Sequence, residues 1–321
     1  MQIFRCPNCS EKLYFHNLFC RCGQDVSFDP DRQEMRTDGV FCANREKIAC
    51  NWIAETDGFC RSCAMTETVP DLGAPENTEL WAKTEAAKRW MLANLARWGW
   101  FTPDDPGARP VFKMLSEHTS SGDANVIMGH ANGLITINVV EASETVRMQR
   151  QENLGELYRT MIGHMRHEMA HFLQLRLAED PEFLNGFRAL FGDERADYGE
   201  ALKKHYASPG EPGERFITSY ATAHPHEDWA ESIAHLLHLV DLLDSAAAAG
   251  LALPSGPPPG YDAYREADPE RLITRAVEIA IATNHVNRAM DLPDLYPFVL
   301  TGGVREKLGF AMKHLRLDHA R

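Results

Sequence analysis

No cysteine occurs beyond Cys63 in this chain of 321 residues, so any disulfide or thiolate metal site is confined to its N-terminal end. No run of ~18 apolar residues is present, and no transmembrane helix is expected. The stretch Met1 to Phe4, ahead of Cys6, is too short to form the apolar core of a secretory leader. A reducing, cytoplasmic setting without membrane contact is therefore expected. Positive charge is scarce as well: the formal net charge is −13, which favours solubility and disfavours anionic partners without identifying a substrate. No internal repeat appears beyond the paired cysteines. An apolar content of 44 % over this length predicts a globular chain of about two units.

The eight cysteines read Cys6-Pro-Asn-Cys9, Cys20-Arg-Cys22, Cys42, Cys50 and Cys60-Arg-Ser-Cys63. Short C-x-x-C turns offer two thiolates to one tetrahedral ion, and eight ligands suffice for two four-cysteine zinc sites. The simplest pairing puts Cys6, Cys9, Cys20 and Cys22 in one site and Cys42, Cys50, Cys60 and Cys63 in the other; an interleaved pairing satisfies the same spacing. Four disulfides are the competing arrangement and an iron–sulfur cluster a lesser one, but thiols in a reducing compartment bind metal. Residues 1–70 carry eight Lys/Arg against ten Asp/Glu, and eight thiolates around two Zn²⁺ add a further four negative charges. A phosphate-binding surface needs a local positive excess, so nucleic acid is not an expected partner. The expected role of this part is to scaffold or to dock a protein partner.

Further along stands His167-Glu168-Met169-Ala170-His171. On a helix, residues four apart share a face, so His167 and His171 can grip one ion while Glu168 takes a proton from water beside it. From Leu157 to Leu177 there is no proline and one glycine, and Leu157, Met161, Met165, Phe172 and Leu175 recur at helical spacing. Gln174 and Leu177 occupy the positions where a longer motif would place its glycine and third histidine, which excludes that variant. The remaining common solution draws a glutamate from a later helix, giving two histidines and a glutamate with one open position. Glu227 is the candidate, because Pro225 suits the first helical position and a carboxylate in the first turn is favoured by the helix dipole. Asp228, Glu231, His224 and His226 are its rivals. Glu231, one turn on, is a candidate to accept the free ring N–H of a ligating histidine. His164, His235 and His238 are expected to be structural.

The segment Glu227-x-x-Ala230-Glu231 resembles the E-x-x-A-[DE] glutamate helix of the gluzincins. Tyr220 resembles the oxyanion-stabilising tyrosine of anthrax lethal factor-like zincins. Taken with the Cys-rich start, Gly129 through Asn138, Tyr158 through His171, Tyr220 through His238, and Leu295-Tyr-Pro-Phe-Val-Leu300, nearly the whole chain resembles the zinc-binding metallopeptidases that carry an N-terminal zinc ribbon. That resemblance implies His167, His171 and Glu227 as ligands, Glu168 as general base and Tyr220 as transition-state donor.

The expected architecture is α+β: a double zinc-ribbon unit over residues 1–70, then a mostly α-helical zincin-like domain with a small β-sheet over 76–321. Residues 70–78 (Pro70, Gly73, Pro75) form the expected junction, and Thr78 is expected to cap a helix from Glu79 to Trp98, with Trp81, Met91, Leu95 and Trp98 in the core. Two β-rich runs, Asn125–Met128 and Leu134–Val140, flank an Asn132-Gly133 hairpin turn. Within the second run, Ile135, Thr136, Ile137 and Asn138 are candidates for a free edge that pairs with an extended substrate. Asp180-Pro181 and Asp268-Pro269 are expected helix starts, with helices over 182–190, 194–206, 269–290 and 303–316, and Leu253 through Gly260 is an expected surface loop. The reaction expected is hydrolysis of a peptide or protein by a zinc-activated water with Glu168 as base, using one catalytic and two structural Zn²⁺. The competing class is a ribbon scaffold whose zincin site is inactive or regulated.

Overall fold

The structure, a computed structural model, describes residues 1–55, 58–148, 160–253, 257–258, 260–296 and 299–317. Leu157, Tyr158, Pro297, Phe298 and part of the Pro/Gly-rich stretch lie outside the described residues. Two compact units are present: Gln2–Glu168, and Met169–Arg321 together with Met1.

The first unit begins with two small antiparallel hairpins, β1 (Phe4–Arg5) with β2 (Lys12–Leu13) and β3 (Ser27–Asp29) with β4 (Glu34–Arg36). Short helical turns α1 (Arg45–Ile48) and α2 (Arg61–Ala64) follow. Then comes α3 (Asn77–Ala96), whose Trp81, Met91 and Leu95 are buried, as is Trp98 just beyond it. The helix starts two residues earlier than expected, and its N-cap is Glu76 in a left-handed conformation with no side-chain cap. Asn77 explains this: its amide donates to Asp71 O and His118 O, both at 2.8 Å, which ties the first turn down from the flanking loops.

The expected junction at 70–78 is not a boundary of packing, because α3 is built into the cysteine-bearing part. Arg89 Nε donates to Asn51 Oδ1 at 2.8 Å, and both side chains are buried. One turn of α3 also buries an ion pair, Lys88 Nζ to Glu85 Oε2 at 2.9 Å, with neither side chain more than 1 % exposed. Lys88 further bonds Thr66 and sits 4.8 Å from the centre of the Phe112 ring.

The sheet of this unit runs β5 (Thr66–Thr68), β6 (Val111–Leu115), β10 (Leu134–Asn138), β9 (Gly129–Ala131), with β6 parallel to both β5 and β10. A minor hairpin joins β7 (His118–Thr119) to β8 (Gly122–Asp123). The Asn132-Gly133 turn has both residues at positive φ, 49° and 86°, as a tight hairpin with this twist requires. Its first strand lies at Gly129–Ala131 rather than 125–128.

This topology corrects the edge-strand expectation. Leu134, Ile135 and Thr136 pair with β9 on one side while all of β10 pairs with β6 on the other, so the sheet ends at β9 and β5. Ile135 and Ile137 are fully buried, and Asn138 caps the following turn by accepting the Val140 N–H at 3.2 Å. The strand's alternation has the right period; which strands flank it depends on long-range pairing that period cannot reveal.

The helix α4 (Met161–Leu177) carries the H-E-x-x-H residues, and the division between the units falls within it. Met161, Met165, Met169, Phe172 and Leu173 form its buried stripe, whereas Leu175 is 48 % exposed and not part of it. The second unit continues with α5 (Pro181–Leu190), α6 (Tyr198–Ala207), α7 (Pro225–Ala249), α8 (Pro269–Ala289) and α9 (Gly302–His314). Asp180 and Asp268 cap α5 and α8 as their Asp-Pro pairs predict, and Asp197 caps α6. The central member, α7, is long and apolar enough to cross a bilayer, but 72 % of that window is buried, as in a core helix. Around its Trp229 pack Phe183, Phe187, Phe191 and Phe310, with ring centroids 5.3 to 6.4 Å away.

The Lys88–Glu85 pair yields the first testable consequence. Lys88→Met should lower the unfolding free energy by ~3–5 kcal/mol by stranding a buried carboxylate, and adding Glu85→Leu should restore most of it. Denaturant titration of the two variants measures both effects.

Candidate metal centres

Two cysteine clusters occur among the described residues, Cys6/Cys9/Cys20/Cys22 and Cys42/Cys50/Cys60/Cys63, each with sulfurs within 4.8 Å of one another. This is the simplest of the sequence-compatible pairings. No disulfide links any of the eight. Sγ···Sγ separations are 3.9 Å for Cys6–Cys22, 3.5 Å for Cys9–Cys20, 3.6 Å for Cys50–Cys60 and 3.8 Å for Cys50–Cys63. Four sulfurs ~2.3 Å from one tetrahedral Zn²⁺ stand ~3.8 Å apart, so both clusters have the dimensions of a zinc site. The thiols of the second cluster also split strongly. Hydrogen bonds from Cys50, Cys60 and Cys63 hold Cys42 far down, while Cys42 and Cys50 push Cys60 far up. Sulfurs this close share protons unless a cation neutralises them.

A third cluster joins one ligand atom each from His167, His171 and Glu227 within 4.8 Å. His167 and His171 lie one turn apart on α4 and are half-buried. Glu168 between them is 7 % exposed and Glu227 only 1 %. His171 Nε2 stands 3.7 Å from Glu227 Oε1, close to the ~3.4 Å edge expected between N and O ligands on a tetrahedral zinc.

Glu227 is presented by local chemistry at the start of α7. His224 is the N-cap, its Nδ1 accepting the His226 N–H at 3.1 Å, and Pro225 fills the first position. The other ring nitrogen of His224 faces Ala196 O at 3.1 Å, and since a carbonyl only accepts, the Nε2–H tautomer is fixed. Tyr198 Oη donates to Glu227 Oε1 at 2.6 Å. His226 Nδ1 pairs with Gln174 Oε1 at 2.8 Å, and Trp229 Nε1 donates to Ala170 O at 2.9 Å, so two contacts bind α7 to α4.

The neighbouring Asp228 is 1 % exposed and meets Lys307 Nζ of α9 at 2.5 Å; Lys307 also donates to Arg215 O at 2.6 Å. Burial raises the Asp228 carboxyl to about 6, against the pull of Lys307. Of the rivals to Glu227, Asp228 is thus committed to Lys307, and neither Glu231 nor His226 joins the cluster.

Tyr220 opens a single 3-10 turn (Tyr220–Thr222) and is half-buried, its ring edge-on to His205. Burial first, then the Glu227 charge and Tyr198, drives its phenol well above the usual range, so it remains a donor. Glu231 Oε2 accepts from Thr218 Oγ1 at 2.8 Å, and Thr218 Oγ1 accepts the Ala221 N–H at 3.1 Å. Glu231 thereby ties the turn carrying Tyr220 to α7. Tyr198 escapes sequence reasoning, since its contact spans 29 residues and belongs to no motif; the Asp197 cap beside it is the only local trace.

Breaking the Asp228 pair tests how α7 is anchored. Lys307→Met should cost ~3–5 kcal/mol of unfolding free energy, read by denaturant titration, because Asp228 would remain buried without its cation.

Residues 77–314 match the model of the family described as "Putative zinc-binding metallo-peptidase", and residues 3–74 match a zinc-ribbon domain. Uncharacterized proteins of Mycobacterium tuberculosis (strains H37Rv and CDC 1551) and of Mycobacterium bovis are each 37 % identical over 329 aligned positions, covering 97 % of this chain and 94 % of theirs. No solved structure matches.

Proposed function

This chain belongs to the zinc-binding metallopeptidase family, and from that premise we propose that it is a zinc-dependent peptidase of gluzincin type acting on a peptide or protein. The observation that carries the reading is the convergence of His167, His171 and Glu227 on one point, beside a buried Glu168. Two imidazoles and a carboxylate would hold the ion and leave one of four positions open. When bound, zinc would bring the pKa of water to ~7 and polarise the scissile carbonyl.

The chain's own groups do the rest. Glu168 accepts the proton of the attacking water and returns it to the leaving amine. Tyr220, held protonated, donates to the developing oxyanion, a contribution of ~3 kcal/mol for a well-placed donor. The two cysteine clusters each take one structural zinc, and their acidic surroundings suit a protein partner better than a nucleic acid.

Metal analysis and turnover test the proposal together. The purified chain should carry three zinc ions, falling to two in His167→Ala/His171→Ala. Glu168→Gln should keep all three yet lose roughly 10²–10⁴-fold in cleavage of a mixed peptide library. Full turnover by Glu168→Gln would remove it as the base.

A further inference from the structure

Tyr198 stands outside everything assigned so far, and its position is specific. It is the first residue of α6, fixed there by Asp197, whose Oδ1 accepts the Glu200 N–H at 2.8 Å. Its ring packs edge-on against His224, centroids 5.3 Å apart, and faces His226 at 6.5 Å. The residue two before it is tied to the same place, since His224 donates to Ala196 O. The start of α6 and the start of α7 are thus clasped by two hydrogen bonds and two ring contacts. The clasp ends on the buried carboxylate through the 2.6 Å bond from Tyr198 Oη to Glu227 Oε1.

We infer that Tyr198 is a positioning residue for the catalytic metal, its hydroxyl holding Glu227 in the orientation that faces His171; this rests on the metal centre proposed above. The physical case is one of rotamer restriction. A glutamate has three side-chain torsions to fix, and an oxygen already engaged by a donor on a capped helix has fewer states to lose when an ion arrives. Oε1 has two lone pairs, so accepting from Tyr198 leaves one for a metal. Partners of this kind behind a ligand commonly change metal affinity by ~10–100-fold.

Tyr198→Phe removes the hydroxyl and keeps the ring, so the packing against His224 is retained. Zinc affinity of the full chain is measured by competition with a chromophoric chelator, the two cysteine sites serving as internal references. The catalytic site should weaken roughly ten- to a hundredfold while the other two are unchanged, and combining Tyr198→Phe with Glu227→Gln should give no further loss beyond Glu227→Gln alone. Unchanged affinity in Tyr198→Phe, or losses that add in the double variant, overturns the inference. A wild-type chain with only two zinc ions overturns the metal centre itself and this inference with it.

Discussion

A carboxylate with 1 % exposure at the head of a buried helix is the constraint around which the second unit is arranged. An ionised carboxyl so far from water is tolerated only with donors and positive charge close by. The first turn of α7 supplies part of this through its unpaired N–H groups and dipole. Tyr198 supplies a hydrogen bond, and the imidazole of His171 stands within reach of the same oxygen. A divalent ion between His167, His171 and Glu227 would complete the neutralisation.

The adjacent residue shows the alternative solution. Glu227 and Asp228 are consecutive, so on a helix they point ~100° apart and meet different neighbours. Asp228 is answered by an ammonium, Lys307, arriving from α9. Two buried acids in one helical turn thus draw on different partners: Asp228 on Lys307 of α9, Glu227 on Tyr198 and on His171 of α4. This division of partners separates Glu227 from its closest rival more clearly than sequence spacing does. It also means that α9, remote from the H-E-x-x-H motif in the chain, helps fix the angle at which α7 presents Glu227.

Much of this was legible in the sequence where the determinant is local. The cysteine spacing, the H-E-x-x-H turn, the Asp-Pro starts of α5 and α8 and the Pro225 start of α7 each depend on residues within a few positions of one another. The failures share the opposite property. Leu175 has the spacing of a core residue, yet Met169 and Leu173 take the inward face. Thr78 is a reasonable cap, but Asn77 reaches a loop 41 residues away and moves the helix start. Residues 135–138 have the alternation of a half-exposed strand; β6 flanks all four and β9 flanks Ile135 and Thr136, through pairings the alternation does not encode.

The same distinction applies to the ribbon part. Spacing allowed the observed grouping of its cysteines alongside an interleaved one, and the two family models meet inside the expected 70–78 junction, but spacing does not reveal that α3 contributes Arg89 and Lys88 to the packing beneath it. A unit that relies on two small metal sites has little apolar surface of its own to bury, and below ~40 residues per site such modules depend on metal or on a neighbour. Here α3 is that neighbour: the helix that opens the family-defining segment at residue 77 bonds Asn51 through Arg89 and packs Trp90 against Phe15 and His16. The ribbons are for that reason better understood as part of the first unit's core than as an appended module, and a partner that docks on them would act on a surface continuous with α3.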